Sequence, residues 1–266
     1  MVRKPSVAGK FYTNDPEELR TEIGSMIPRL EPVRAIGIIS PHAGYVYSGK
    51  VAGHAFGAVT VPDTVLLLCP NHTGLGAPAA LSPSESWLTP LGAVPVNSRL
   101  SQLILQHAPL VREDAAAHQL EHAIEVQLPF VQHRNPNASI AAICLAIHDF
   151  HSLSAIGEGI ARAIRELGQE VLIVASSDMN HYESAGVAKS KDDLALAEVT
   201  AMNPEGLLKV CHDRGITMCG AVAATAMLVA AKALGATSSR VLEYTNSGEV
   251  NRDFERVVSY AAVIVS

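Results

Sequence analysis

Residues 64–74 read Thr-Val-Leu-Leu-Leu-Cys-Pro-Asn-His-Thr-Gly. From Thr64 to Cys69 the chain is apolar at successive positions rather than alternate ones, and Pro70 stops the run. A short run of this kind is a strand covered on both faces. Working outward, the same pattern recurs at Ala35–Ser40, which stops at Pro41, at Ser139–Ile147, and at Glu170–Ser176 (EVLIVAS). Helical periodicity fills the intervals. Asp15-Pro16-Glu17-Glu18 supplies a capping side chain, a first-turn proline and acids that suit the helix dipole. Gly49–Val59, Arg99–His107, His118–His133, Ser152–Leu167, Lys191–Met202, Pro204–His212 and Gly220–Leu234 also read as helices. Ser82–Val96 is turn-rich with short strands, and Arg240–Thr245 and Val257–Val265 close the chain as strands. Buried strands separated by helices predict one α/β domain over residues 1–266, with a mostly parallel central sheet and helices on both faces.

The bulk numbers agree. The chain has 266 residues, 48% hydrophobic and 17% charged, which is enough to bury a large core without staples. A metal here would therefore be functional rather than structural. The net charge of -6, without a dense Lys/Arg cluster, argues against nucleic-acid or anionic-membrane partners. Ala221–Leu234 is too short, and too interrupted by Lys232, to span a bilayer. Met1–Tyr12 lacks the apolar run of a signal peptide. The four cysteines show no CxxC spacing, so reduced thiols and a cytoplasmic location are expected.

Three strands end in loops that carry chemistry: Ser40-Pro41-His42-Ala43-Gly44-Tyr45, Pro70-Asn71-His72-Thr73-Gly74 and Ser176-Ser177-Asp178-Met179-Asn180-His181. Parallel strands place these ends on one edge, where ligands bind in open α/β sheets. His42, His72, Asp178 and His181 should therefore converge. A lone histidine is more often a surface or capping residue, and His54, His107, His133 and His212 are left as such; His148 also lies at a strand end, beside Asp149, but lacks a flanking Pro/Gly turn. His42 and His72 stand apart because each follows a buried strand, next to proline and before glycine. Cys219, in Thr217-Met218-Cys219-Gly220, precedes a long small-residue helix. The dipole there favours a thiolate, either a metal ligand or a reactive thiol, while a buried cysteine in a tight turn is the plain alternative. In Glu121-His122-Ala123-Ile124-Glu125 the two acids lie one helical turn apart and could serve as acid, base or ligand anchors. A solvated acidic face is the simpler account of Glu121. Neither GxGxxG after a strand, nor a P-loop, nor GxSxG is present.

Pro41-His42-Ala43-Gly44-Tyr45, Pro70-Asn71-His72, Glu121-His122 with Glu125, Ser176-Ser177-Asp178 with His181, and Met218-Cys219-Gly220 stand in the order seen in the Memo family, also called AmmeMemoRadiSam system protein B. Ala8-Gly9-Lys10-Phe11-Tyr12 and Ser259-Tyr260-Ala261-Ala262 resemble that family too. The resemblance implies a fold like that of class III extradiol dioxygenases and a metal site built by His42, His72 and Cys219. It also implies Asp178 and His181 in the same pocket, with Glu121, His122 and Glu125 nearby. Thr73 and Ala221–Ala224 depart from the pattern of the family's animal member, which puts a signalling role in doubt. The family's prokaryotic members look like partners of AMMECR1-type and radical SAM proteins.

A His₂Cys set favours iron or copper, with zinc as the alternative, and three protein ligands leave a coordination position open. Three function classes follow. One is a metal-dependent oxidoreductase that activates dioxygen or a related oxidant, with His181 as acid or base held by Asp178. Another is a non-catalytic module that captures a small-molecule, peptide or protein partner. The third is a true extradiol dioxygenase, in which Glu125 would have to reach the metal.

Overall fold

Every residue of Gly37–Ser40, Thr64–Pro70 and Leu172–Ser176 is buried, as is all but the first residue of Ser139–Leu145. In the computed structural model, which describes residues 1–266, these segments lie side by side and parallel. In chain order the strands are β1 (Val2–Arg3), β2 (Gly37–Ser40), β3 (Thr64–Pro70), β4 (Ala79–Leu81), β5 (Ser86–Thr89) and β6 (Gly92–Pro95). They continue with β7 (Arg112–Glu113), β8 (Ser139–Leu145), β9 (Leu172–Ser176), β10 (His181–Glu183), β11 (Ser239–Asn246) and β12 (Val257–Val265). The main sheet has the order β10-β12-β2-β9-β3-β8-β4-β7, with β11 also paired to β12, while β1, β5 and β6 form a small separate sheet.

Parallel pairing holds for the four central strands, and the flanks turn antiparallel: β12 against β2 and β11, and β4 against β8. The cause is connection length. Residues 71–78 between β3 and β4, and 247–256 between β11 and β12, are too few for the crossover of a dozen or more residues that a parallel return needs.

The helices are α1 (Pro16–Met26), α2 (Tyr45–Gly57), α3 (Ser98–His107), α4 (Ala116–Gln119), α5 (Leu128–Arg134), α6 (Phe150–Leu167), α7 (Ala185–Thr200), α8 (Pro204–Asp213), α9 (Ala221–Ala233) and α10 (Gly248–Asn251). Successive strand residues feed opposite layers. Val65, Leu67 and Cys69 pack with Phe56 of α2 and Phe130 of α5, whereas Leu66 and Leu68 pack with Ile156 of α6 and Ala223 of α9. The Asp15 cap stands as the sequence predicts, accepting from the N–H groups of Glu17 and Glu18 at 2.9 Å. No helix is long and apolar enough to cross a membrane.

The expected helix over His118–His133 is broken. It ends at Gln119, runs irregularly through Glu121 and His122, makes one 3₁₀ turn at Glu125–Gln127 and restarts as α5. Pro129 sits in the first turn of α5, where its missing N–H costs nothing; inside one long helix it would have removed a hydrogen bond. The break turns Glu121 and Glu125 toward different partners.

Candidate metal centre

The ends of β2, β3 and β9 bring His42, His72 and the 177–181 loop to one edge, and the irregular segment after α4 adds His122. The ring centroids of His42 and His72 are 5.1 Å apart, those of His72 and His122 4.9 Å, and those of His42 and His122 5.5 Å. One ligand nitrogen from each ring lies within 4.8 Å of the other two, a grouping that could hold a metal ion. Cys219 Sγ is 3.2 Å from His42 Nε2.

Hydrogen bonding fixes which nitrogens are free. Ser176 Oγ donates its one proton to the Ala123 carbonyl at 2.7 Å and accepts from Gln127 Nε2 at 2.8 Å. His42 Nδ1, 2.9 Å from the same oxygen, must therefore be the donor, which leaves Nε2 as a bare lone pair facing Cys219. His72 Nδ1 lies 2.9 Å from Glu121 Oε1, and the other carboxylate oxygen accepts the His72 backbone N–H at 2.7 Å. An ionised carboxylate only accepts, so His72 also carries its proton on Nδ1 and offers Nε2. A carboxylate or hydroxyl behind each imidazole is the arrangement that orients metal-binding histidines.

For His42 and His122 the electrostatics fit the same role. Burial, and the nearby rings of His72 and His122, hold His42 well below the ordinary histidine range. Burial also lowers His122, against the pull of Glu121. Burial pushes Glu121 up, but the hydrogen bond and charge of His72, with the Ala123 and His72 N–H groups, outweigh it and leave Glu121 at about 2. His72, with 34% of its side chain exposed, is raised, because Glu121 outweighs its burial. Glu121 is therefore a buried anchor, not part of a solvated acidic face.

Glu125 takes no part in this cluster. Its oxygens accept from Arg3 Nη1, Ser6 N and Oγ, Val7 N and Tyr12 Oη. Arg3 donates further to the carbonyls of Glu121 and His118. The N-terminal arm is thus clamped to the segment that carries His122, and Phe11 lays its ring 4.8 Å from that of His122. Saturated by the arm, Glu125 has no oxygen left for a metal. Sequence reading singled out Glu125 but missed Arg3, because nothing local ties a lone basic residue to an acid more than a hundred positions away.

Asp178 holds the backbone of the His42 loop, its Oδ1 accepting from His42 N at 2.7 Å and Ala43 N at 3.3 Å. The sequence predicts that Asp178 holds His181, but it does not. His181 Nδ1 donates instead to the Thr217 carbonyl at 2.9 Å, and its backbone N–H to Thr217 Oγ1 at 2.8 Å. The tie passes through Asn180, whose Oδ1 accepts from Thr217 N and whose own N–H reaches buried Asp192 of α7 at 3.0 Å. Asp192, Asn180 and Thr217 were not singled out as functional from sequence. Cys219 differs from expectation in one respect: burial and the charge of Asp178 push its thiol well up, and the N–H groups around it do not bring it back to a thiolate.

A polar, histidine-lined edge on an α/β sheet defines this molecule as a candidate metal-binding α/β protein. The family described as Memo-like protein matches residues 3–264, and the chain belongs to it. MEMO1 family proteins of Methanopyrus kandleri, Methanosarcina barkeri and Aquifex aeolicus are 37%, 39% and 38% identical, and each alignment covers at least 98% of both chains. An uncharacterized protein from Escherichia coli K12, known from its crystal structure, shares the fold. Its TM-score is 0.62 at 12% identity, over 88% of this chain and 100% of that one.

Proposed function

We propose that this protein binds one transition-metal ion through His42 and His72, with Cys219 as third ligand and His122 beside them, and acts as a metal-dependent oxidoreductase. The observation that carries the reading is the grouping of His42, His72 and His122, each with a ligand nitrogen within 4.8 Å of the other two, with a thiol 3.2 Å from His42 Nε2. The donor set fits an iron or copper ion ahead of zinc, since imidazole suits all three and sulfur adds softness. Such an ion would supply one-electron redox chemistry. The chain's own contribution is to keep His42 neutral by burial and to orient the His42 and His72 rings through Ser176 and Glu121. His181, whose Nδ1 donates to the Thr217 carbonyl, would be the group that moves a proton.

The four cysteines are free thiols, which supports a cytoplasmic location. Association with AMMECR1-type and radical SAM proteins rests on the family resemblance. Metal analysis after anaerobic loading tests the centre. Wild type should retain about one ion per chain, and His42→Ala and His72→Ala should each lose tenfold or more in affinity. Retention by both variants would overturn the reading. If the ion is held but oxygen consumption and dye reduction stay at background, the non-catalytic partner-binding reading replaces the oxidoreductase.

A further inference from the structure

Beside Cys219 a cavity of about 480 Å³ opens between α8, α9 and the start of α6. Its volume falls in the range of about 300–1,000 Å³ typical of small-molecule clefts. Phe150, Leu208, Ile216, Met218 and Val222 make its apolar walls, and Cys219 closes one part of them. His42 is only 2% exposed, whereas Cys219 keeps part of its surface accessible and lines this space. Phe150 lies just beyond β8, so the cavity stands at the same strand-end edge as the histidines.

We propose that this cavity binds an uncharged, largely hydrocarbon small molecule whose inner end rests against Cys219. The proposal takes its chemical consequence, delivery of a substrate to the metal centre, from the reading above; the binding itself does not depend on that reading. The charge of the ligand follows from the rim. Lys209 Nζ is bonded to Asp213 at 2.5 Å, and Asp213 also meets His212 Nδ1 at 3.2 Å, so these groups satisfy one another in water. Glu205 adds a second acid against the single lysine, and His148 an exposed imidazole. That balance disfavours an anion, and the charged and imidazole residues of the lining are all exposed to water rather than buried among the apolar walls. Burying hydrocarbon against five apolar side chains is the favourable term that remains.

The probe is the neutral dye N-phenyl-1-naphthylamine, titrated by fluorescence against metal-loaded and metal-free protein. Saturable binding of one dye per chain is expected. Leu208→Trp, which fills the mouth from α8, should weaken it at least tenfold, about 1.4 kcal/mol. Val222→Phe fills the same space from α9 and serves if the first variant does not fold. In metal-free Cys211→Ala protein, saturating dye should slow alkylation of Cys219 by N-ethylmaleimide at least fivefold. Absence of saturable binding, unchanged affinity in a folded filling variant, or unprotected Cys219 would each overturn the proposal. Metal content measured on the same samples separates the two readings: dye binding without metal retention sinks the metal centre and leaves the cavity assignment standing.

Discussion

Cys219 sits where two influences oppose each other. The N-terminal end of α9 favours a thiolate, but burial and Asp178 favour the protonated thiol, and the second pair prevails. A thiolate here therefore needs a cation, which an ion held by His42 and His72 would be. Geometry offers two completions of the ligand set, Cys219 Sγ or a ring nitrogen of His122. Sulfur adjoins the free Nε2 of His42, so Cys219→Ser should cost more metal affinity than His122→Ala, by roughly tenfold. Cobalt(II)-loaded protein distinguishes them, because a thiolate ligand gives an ultraviolet charge-transfer band and imidazole does not. The band should be present in wild type, vanish in Cys219→Ser and persist in His122→Ala; wild type that binds cobalt without the band would assign the third position to His122. At this scale the sequence was legible where a side chain acts near its own strand end, as His42 and His72 do. It was illegible for Arg3 and Asp192, whose partners are set by tertiary contact.

The strand-end loops act as one element because they touch backbone to backbone. Gly220 shows this most directly: a β-carbon there would lie 2.4 Å from the Ser176 carbonyl oxygen and 2.4 Å from Ser177 Cβ. The N–H of Gly220 donates to Ser177 Oγ at 3.0 Å, and the Asp178 N–H reaches Cys219 Sγ at 3.3 Å. Gly220→Ala must push the start of α9, and Cys219 with it, off the end of β9. A cost of about 1–3 kcal/mol in stability is expected, with a drop in metal affinity of tenfold or more. Gly186→Ala, in the first turn of α7 with open space around it, is the control and should be neutral or slightly stabilising. Equal metal affinity in both variants would show that the close approach does not position the thiol. The Met218-Cys219-Gly220 motif was visible in the sequence, but the surface against which its glycine must fit was not. The four buried strands were legible because burial on both faces leaves an uninterrupted apolar run. The break after Gln119 was less so, since apolar spacing there suits a helix while Glu121 bonds the His72 and Ala123 N–H groups instead.

For the molecule as a whole, groups whose folded values are depressed make acid the weak direction. Glu121, at about 2, and Glu125, lowered because Arg3 and the arm's N–H groups outweigh its burial, contribute stability above the ordinary carboxylate range and lose it as pH falls through their folded values. His118 acts at higher pH. It is 1% exposed against Trp87, and burial takes it from 6.5 to about 4, with Arg3 pushing the same way and the Ala80 carbonyl, Glu121 and Asp114 pulling back. Between those values the unfolded chain holds a proton that the folded chain does not, so stability falls as pH drops from 6.5 towards 4. By pH 4.5 the loss from this one group is roughly 2–3 kcal/mol. His118→Gln keeps an N–H donor for the Ala80 carbonyl, which His118 Nε2 reaches at 2.9 Å, and removes the titration. Urea unfolding of metal-free protein at pH 7 and pH 4.5 checks this: wild type should lose roughly 2–3 kcal/mol more than the variant over that interval. Parallel losses in the two proteins would mean that His118 is already free to take its proton in the folded state.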